Sequence, residues 1–208
     1  MTEHCWIGRN DRGPFVPGIP ATVPRYRSLV KLNDEMACCT RCDLALGRTQ
    51  VVRGIGPKRA RVLFLGEAPG ASEDRAGEPF VGAAGRLLDR LLEESGLLRS
   101  DIYITNVVAC RPEKNRAPRV SEVKAHAPWL EEQLRLVQPE VIVTLGRVAL
   151  TYFIPGAKIT ELSGRAQEVE WQGRKLRLLP LFHPAAVLRA RDLLPRLEAD
   201  FTALRSML

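Results

Sequence analysis

The sequence predicts an α/β fold, a three-layer α/β/α sandwich around a central, mostly parallel, four-stranded sheet. Three observations carry that prediction. Apolar runs of strand length at residues 62–65, 102–108, 141–145 and 176–182 alternate with helical patterns at 83–94, 120–137, 147–153 and 194–204. The runs are apolar on both faces, as strands of a sheet covered on both sides must be. The glycines, prolines and polar residues capable of chemistry fall just after these runs, at the carboxyl ends where open α/β sheets bind ligands.

The elements follow in order. Residues 1–27 contain Pro14, Pro17, Pro20 and Pro24 with Gly8, Gly13 and Gly18 among them, a spacing that sustains neither a helix nor a central strand. This stretch reads as an extended or disordered N-terminal arm, and residues 28–208 as one domain. From Ser28 the pattern changes: Leu29, Leu32 and Met36 lie at helical spacing and bring a short helix to the edge of a cysteine cluster. Strands and helices then alternate to the end, without internal repeat or low-complexity tract.

Composition bounds the function. Of 208 residues 45% are hydrophobic, enough for a real core, and no window supplies the roughly 18 consecutive apolar residues of a membrane span. The N-terminus lacks the apolar run of a signal peptide, so a cytoplasmic protein is expected; a monomer is expected as well. The net charge is +7, and 25 of the 31 basic residues are Arg, whose planar fork pairs two-point with phosphate. That balance leans towards a polyanionic partner. The odd set Cys5, Cys38, Cys39, Cys42 and Cys110 argues against a disulfide framework, and Cys39-x-x-Cys42 reads as metal, cluster or redox chemistry.

Four segments carry the chemistry. Gly66-Glu67-Ala68-Pro69-Gly70, continuing through Glu73 to Gly82, forms a fixed loop that lets a ligand approach the backbone, and it lacks the spacing of a generic phosphate loop. Phe80 interrupts this loop with a flat ring; a nucleobase stacked there gains about 1–3 kcal/mol. Asn106 ends the second strand, and its amide can pair with the N3–H and O4 of a uracil, whereas cytosine presents the reverse pattern. His183, between an apolar run and a proline, can donate to charge developing on a leaving group. Cys39, Cys42 and Cys110 need a fourth ligand, and His126 stands 16 residues beyond Cys110 in a helical stretch. Three thiolates and an imidazole suit zinc or an iron–sulfur cluster; alternatively His126 is an exposed helix residue and Cys5 or Cys38 closes the site.

Taken together these segments resemble the family 4, iron–sulfur branch of the uracil-DNA glycosylases over about residues 29–204. The resemblance rests on Cys39-x-x-Cys42, Arg53-Gly54-Ile55-Gly56, the stretch 66–85, Asn106 with Cys110-Arg111-Pro112, Asn115-Arg116-x-Pro118, and His183-Pro184-Ala185. It implies cleavage of the N-glycosidic bond of deoxyuridine in single- or double-stranded DNA, with a structural [4Fe–4S] cluster on Cys39, Cys42, Cys110 and a fourth ligand. It further implies that Glu67, Asn106 and His183 are catalytic, with Phe80 stacking on the base, Glu73 near its C5, and Gly66, Ala68, Pro69 and Gly70 shaping the pocket. Leu188 or Arg189 would enter the gap left by the base, and Arg116, Arg119, Arg165 and Arg191 would contact phosphates. The chain departs from the family in two places: His126 stands where a cysteine is usual, and the arm 1–27 is longer than the core requires. Two other classes stay open at this point: a non-catalytic iron–sulfur DNA-binding protein and a zinc-stabilised nucleotide-binding protein. A glycosylase for another deaminated base is a third possibility.

Overall fold

The structure, a computed structural model, describes residues 22–208. Most of the arm predicted over residues 1–27 therefore lies outside the described residues. Residues 22–27 run irregularly along the domain, where the Tyr26 ring stacks on Trp129 at 6.3 Å and Arg135 donates to the Tyr26 carbonyl at 2.6 Å.

Among the described residues five strands build the sheet: β1 (Val62–Gly66), β2 (Tyr103–Asn106), β3 (Val141–Leu145), β4 (Gln167–Trp171) and β5 (Arg174–Leu181), in the order β2-β1-β3-β5-β4. All pairings are parallel except β4 with β5, so the predicted four-stranded sheet gains an antiparallel edge strand. β4 and β5 are joined by Gln172 and Gly173, both at positive φ, the backbone of a tight two-residue hairpin. Inward Gln167, Val169 and Trp171 alternate with exposed Glu168 and Glu170, the half-buried pattern of an edge. At the other edge, Ile55 exchanges two backbone hydrogen bonds with Ile104 of β2 and covers it.

Side chains of the central strands divide between two cores. Leu63, Leu65, Ile142 and Leu178 face the layer of α1 (Leu29–Ala37), α5 (Val120–Val137) and α6 (Arg147–Phe153), where Leu32, Met36, Trp129 and Leu134 meet them. Val62, Phe64, Val143 and Leu179 face α4 (Ala83–Glu94) and α9 (Leu194–Ser206), where Leu88, Leu91 and Phe201 lie. Each such buried side chain contributes about 1.5–3 kcal/mol, which makes this two-sided burial the main support of the fold. Short helices α2 (Leu44–Gly47), α3 (Ala71–Ala76), α7 (Ile159–Leu162) and α8 (Pro184–Val187) complete the chain. No helix among the described residues is long and apolar enough to cross a membrane. The connection leaving β1 crosses to β2 over the face that carries α4, and that leaving β2 returns to β3 over the face that carries α5. Their divergence opens a crevice at the carboxyl ends of the strands.

Candidate active site and cysteine centre

A pocket of about 440 Å³ occupies that crevice. Glu67 follows β1, Asn106 ends β2, Gly146 and Arg147 follow β3, and Phe182 and His183 follow β5, so four parallel strands each deliver a wall.

Asn106 is 5% exposed, and its Oδ1 is buried without a hydrogen-bond partner. An acceptor left so costs about 1–3 kcal/mol, and a fold tolerates it where something else will supply the donor. The neighbouring backbone is held tightly: the amides of Val107 and Val108 donate to the carbonyls of Gly66 and Glu67 at 2.9 and 3.2 Å. The chain thus turns directly after Asn106, and the predicted strand over 102–108 is shorter than its apolar run. Gly66 has no side chain because Asn106 needs the space. A Cβ there would stand 2.2 Å from Oδ1 and 2.8 Å from the Phe80 ring.

His183 caps α8. Its Nδ1 accepts from the Ala185 amide at 3.1 Å, which places the ring proton on Nε2 and makes that nitrogen a donor. Burial, reinforced by the nearby Arg189 guanidinium and opposed by Glu73, pushes its pKa down to about 4. The imidazole is therefore neutral at neutral pH, in one tautomer. Its ring stacks against Phe80 with centroids 5.6 Å apart and planes 27° from parallel.

Phe80 is 5% exposed and sits at φ 54°, a left-handed backbone that costs an aromatic residue about 1–3 kcal/mol and persists only when its surroundings impose it. Glu73 imposes it. The carboxylate accepts from the Gly70 amide at 3.1 Å, from Val81 at 3.0 Å and from Gly82 at 2.8 Å, tying both ends of the loop together. Gly85 lets the loop close, since a Cβ at that position would stand 1.8 Å from the Phe80 carbonyl oxygen. The geometry makes Glu73 a positioning residue: it lines the pocket, but backbone amides engage both of its oxygens.

Glu67 is half-buried in the pocket wall. Burial raises its pKa, and Arg147 opposes that rise. Arg147 is exposed at the pocket mouth and comes from the segment after β3. The sequence reading did not find it, although Gly146-Arg147 also follows an apolar run.

The family model described as Uracil DNA glycosylase superfamily matches residues 53–205, which takes in all these walls. The chain belongs to that superfamily. It is 43% identical to a type-4 uracil-DNA glycosylase of Archaeoglobus fulgidus over 179 residues, covering 84% of this chain and 90% of the relative. A type-4 uracil-DNA glycosylase of Thermotoga maritima is 45% identical over 161 residues, 77% of this chain and 83% of the relative. A type-5 uracil-DNA glycosylase of Thermus thermophilus is 42% identical over a shorter span, 114 residues, or 48% of this chain and 52% of the relative.

This uracil-DNA glycosylase superfamily member gathers Cys39, Cys42 and Cys110 near α5. Cys39 and Cys110 are buried and Cys42 is half-buried; all three are free thiols. Trp129 Nε1 donates to Cys39 Sγ at 3.2 Å, and Arg48 Nη1 to Cys110 Sγ at 3.4 Å. Burial pushes the Cys42 thiol up to about 11 and the Cys110 thiol up to about 12. Without a bound cation both stay protonated at neutral pH, and metal binding must displace those protons. His126 is 3% exposed, which overturns the reading of it as an exposed helix residue. Burial pushes its pKa down to about 4, its Nδ1 lies 2.9 Å from the Glu122 carbonyl oxygen, and its Nε2 is buried without a partner. Cys42 Sγ is 3.9 Å from Nδ1 of the same ring. Cys38 is exposed, and Cys5 lies outside the described residues.

Among the described residues, no three His, Cys, Asp or Glu side chains are spaced to hold a single metal ion. A lone zinc draws all its ligands to about 2.0–2.3 Å of one atom, whereas the ligands of a four-iron cluster each bind a different iron. The donor set suits such a cluster: soft sulfurs, an imidazole with a free lone pair, and N–H groups already aimed at two of the sulfurs.

The residues expected to face DNA divide. Arg116 and Arg189 line the pocket; Leu188 is 45% exposed, and Arg119, Arg165 and Arg191 are exposed but outside the pocket lining. Arg116 has another role as well. Its fork donates to both oxygens of the buried Glu122 carboxylate at 2.8 and 2.6 Å, which fixes it as part of the wall.

The contact of Gly66 with Asn106 and Phe80 gives a direct prediction. Gly66→Ala lowers kcat/KM at least tenfold, about 1.4 kcal/mol, and lowers stability by about 1–3 kcal/mol as an overpacked core does. Steady-state kinetics and thermal melting check it; wild-type values in both would show that the wall yields without consequence.

Proposed function

We propose that this chain is a monofunctional uracil-DNA glycosylase, which hydrolyses the N-glycosidic bond of deoxyuridine, releases uracil and leaves an abasic site. The observation that carries this reading is the unpartnered Asn106 Oδ1 in the same pocket as a neutral His183 that presents Nε2–H. An amide matches the N3–H and O4 of uracil, and an imidazole N–H matches O2, the atom on which charge grows as the base leaves. Phe80 supplies a face for stacking, which offsets part of the few kcal/mol needed to extrude a nucleotide.

Bond breaking puts positive charge on the sugar and negative charge on the base, so catalysis requires groups of both kinds. Neutral His183 donates to O2 without giving up its proton, and uracil departs as an anion. Glu67, in the pocket lining after β1, is a carboxylate that stabilises the sugar cation and holds the water that adds to C1′. The water's hydroxyl ends on the sugar, and its remaining proton balances the departing base.

Cys39, Cys42 and Cys110, with a fourth ligand, would hold a [4Fe–4S] cluster. When bound, the cluster would cross-link the segment between α1 and α2, the segment after β2, and its fourth ligand's element, a structural service that uses no electron transfer. Leu188 and Arg189 would fill the space the base vacates, and Arg119, Arg165 and Arg191 would meet phosphates along the strand.

The test is uracil release from an end-labelled oligonucleotide in the presence of chelator, read by alkaline cleavage at the abasic site. Wild-type protein is expected to cut only at uracil. Glu67→Gln is expected to slow release by about 10²–10⁴-fold, the range of a lost general base. Because burial raises the Glu67 pKa, the wild-type rate should fall on acidification at a pH above the usual carboxylate range. An unchanged Glu67→Gln rate would remove Glu67 from the mechanism, and failure to release uracil from any DNA would overturn the function.

A further inference from the structure

We infer that His126 Nε2 is the fourth protein ligand of the iron–sulfur cluster, so that three thiolates and one imidazole hold it. This rests on the cluster reading above.

Four buried side-chain atoms among the described residues lack a hydrogen-bond partner: Asn33 Oδ1, Asn106 Oδ1, Thr144 Oγ1 and His126 Nε2. Only the last is a nitrogen of metal-ligating type. The Glu122 carbonyl oxygen, 2.9 Å from His126 Nδ1, can only accept, so the ring proton sits on Nδ1 and Nε2 carries a free lone pair. Metal-bound histidines characteristically donate their second ring N–H to a carbonyl or carboxylate, which fixes tautomer and ring orientation. That arrangement is already in place here. The ring adjoins the cysteines, with Cys42 Sγ 3.9 Å from its Nδ1 and Arg48 close enough to act electrostatically on both the ring and Cys110. Cys38, the alternative closest in sequence, is exposed.

The same turn of α5 reaches the active site. Glu122 offers its carbonyl to His126, while its carboxylate accepts from Arg116 at 2.8 and 2.6 Å and from the Arg119 amide at 2.7 Å. Arg116 lines the pocket. A ligand at His126 therefore anchors the residue that holds the Arg116 wall. Electronically, a neutral imidazole in place of a thiolate leaves the cluster one unit less negative and raises its reduction potential, as histidine ligation does in Rieske centres.

The test uses the full chain isolated without oxygen, with iron and acid-labile sulfide counted before the cluster is reduced. Pulsed electron paramagnetic resonance on protein grown with ¹⁵N-histidine reads ligation without any substitution. The expected result is strong nitrogen coupling that changes with the isotope and vanishes in His126→Cys. That variant should keep the full iron and sulfide content and show a lower midpoint potential. A complete cluster without histidine nitrogen coupling would overturn His126 ligation and leave the cluster reading intact. So would a His126→Ala protein whose cluster has unchanged spectrum and potential. Protein that holds neither iron nor sulfide after isolation and chemical reconstitution would overturn the cluster reading, and this inference with it.

Discussion

Asn106→Ala is expected to slow uracil release by about 10²–10³-fold, the loss that follows removal of one preorganised hydrogen-bonding group from a reacting centre. The loss should fall on the base-reading step, so that binding to an abasic product changes much less than release of uracil. Stability should move the other way. The Asn106 Oδ1 has no partner to lose, and its removal takes away a buried, unsatisfied acceptor. A melting temperature equal to or above that of the wild type, with uracil release slowed to that extent, is therefore the predicted pair of results. A clear loss of stability with release preserved would mean that Asn106 is a packing residue and that uracil is read elsewhere.

His183→Ala is expected to cost a similar factor, about 10²–10³, and to differ in its pH behaviour. The folded-state pKa lies near 4 against an ordinary 6.5, so the ring is already neutral throughout the range in which free histidine titrates. The wild-type rate should show no step near pH 6.5 from this residue. The sign for stability follows from the same shift. Between about pH 6.5 and pH 4 the unfolded chain takes up a proton that the folded chain refuses, so His183 contributes stability fully above 6.5 and loses it as pH falls towards 4. His183→Ala should flatten that part of the stability profile, measured by denaturant titration at several pH values. A wild-type rate that follows an imidazole titration near 6.5 would mean that His183 exchanges a proton during the reaction.

The central strands were legible because they are buried on both faces and therefore read as unbroken apolar runs. β4 was not. Gln167-Glu168-Val169-Glu170-Trp171 has only Val169 and Trp171 as apolar residues, since an edge strand shows half its side chains to water. The available signal was local: Gln172-Gly173 between two strand-like stretches, a hairpin turn whose backbone favours glycine. In the pocket, residues with distinctive chemistry stood out from the sequence, but those defined by placement did not. Arg147 looks like any surface arginine until β3 brings it opposite Glu67. Glu73 carries the right charge for a role at the base, and only the folded loop reveals three amides on its carboxylate. His126 could be matched to a ligand position by spacing, but its burial and its vacant nitrogen depend on how α5 packs.

The two margins of the sheet bear on how copies of this chain meet one another. A bare strand edge is a template on which another strand can assemble. Here one margin is sealed by Ile55 pairing with Ile104, and the other is a five-residue strand that turns Glu168 and Glu170 outward. A second chain approaching in register would bring like charges together, so self-templated growth from that side is resisted electrostatically and weakens as resistance when salt screens the carboxylates. Replacing Glu168 and Glu170 with β-branched residues would leave the pocket untouched and turn a protected border into a nucleus for aggregation.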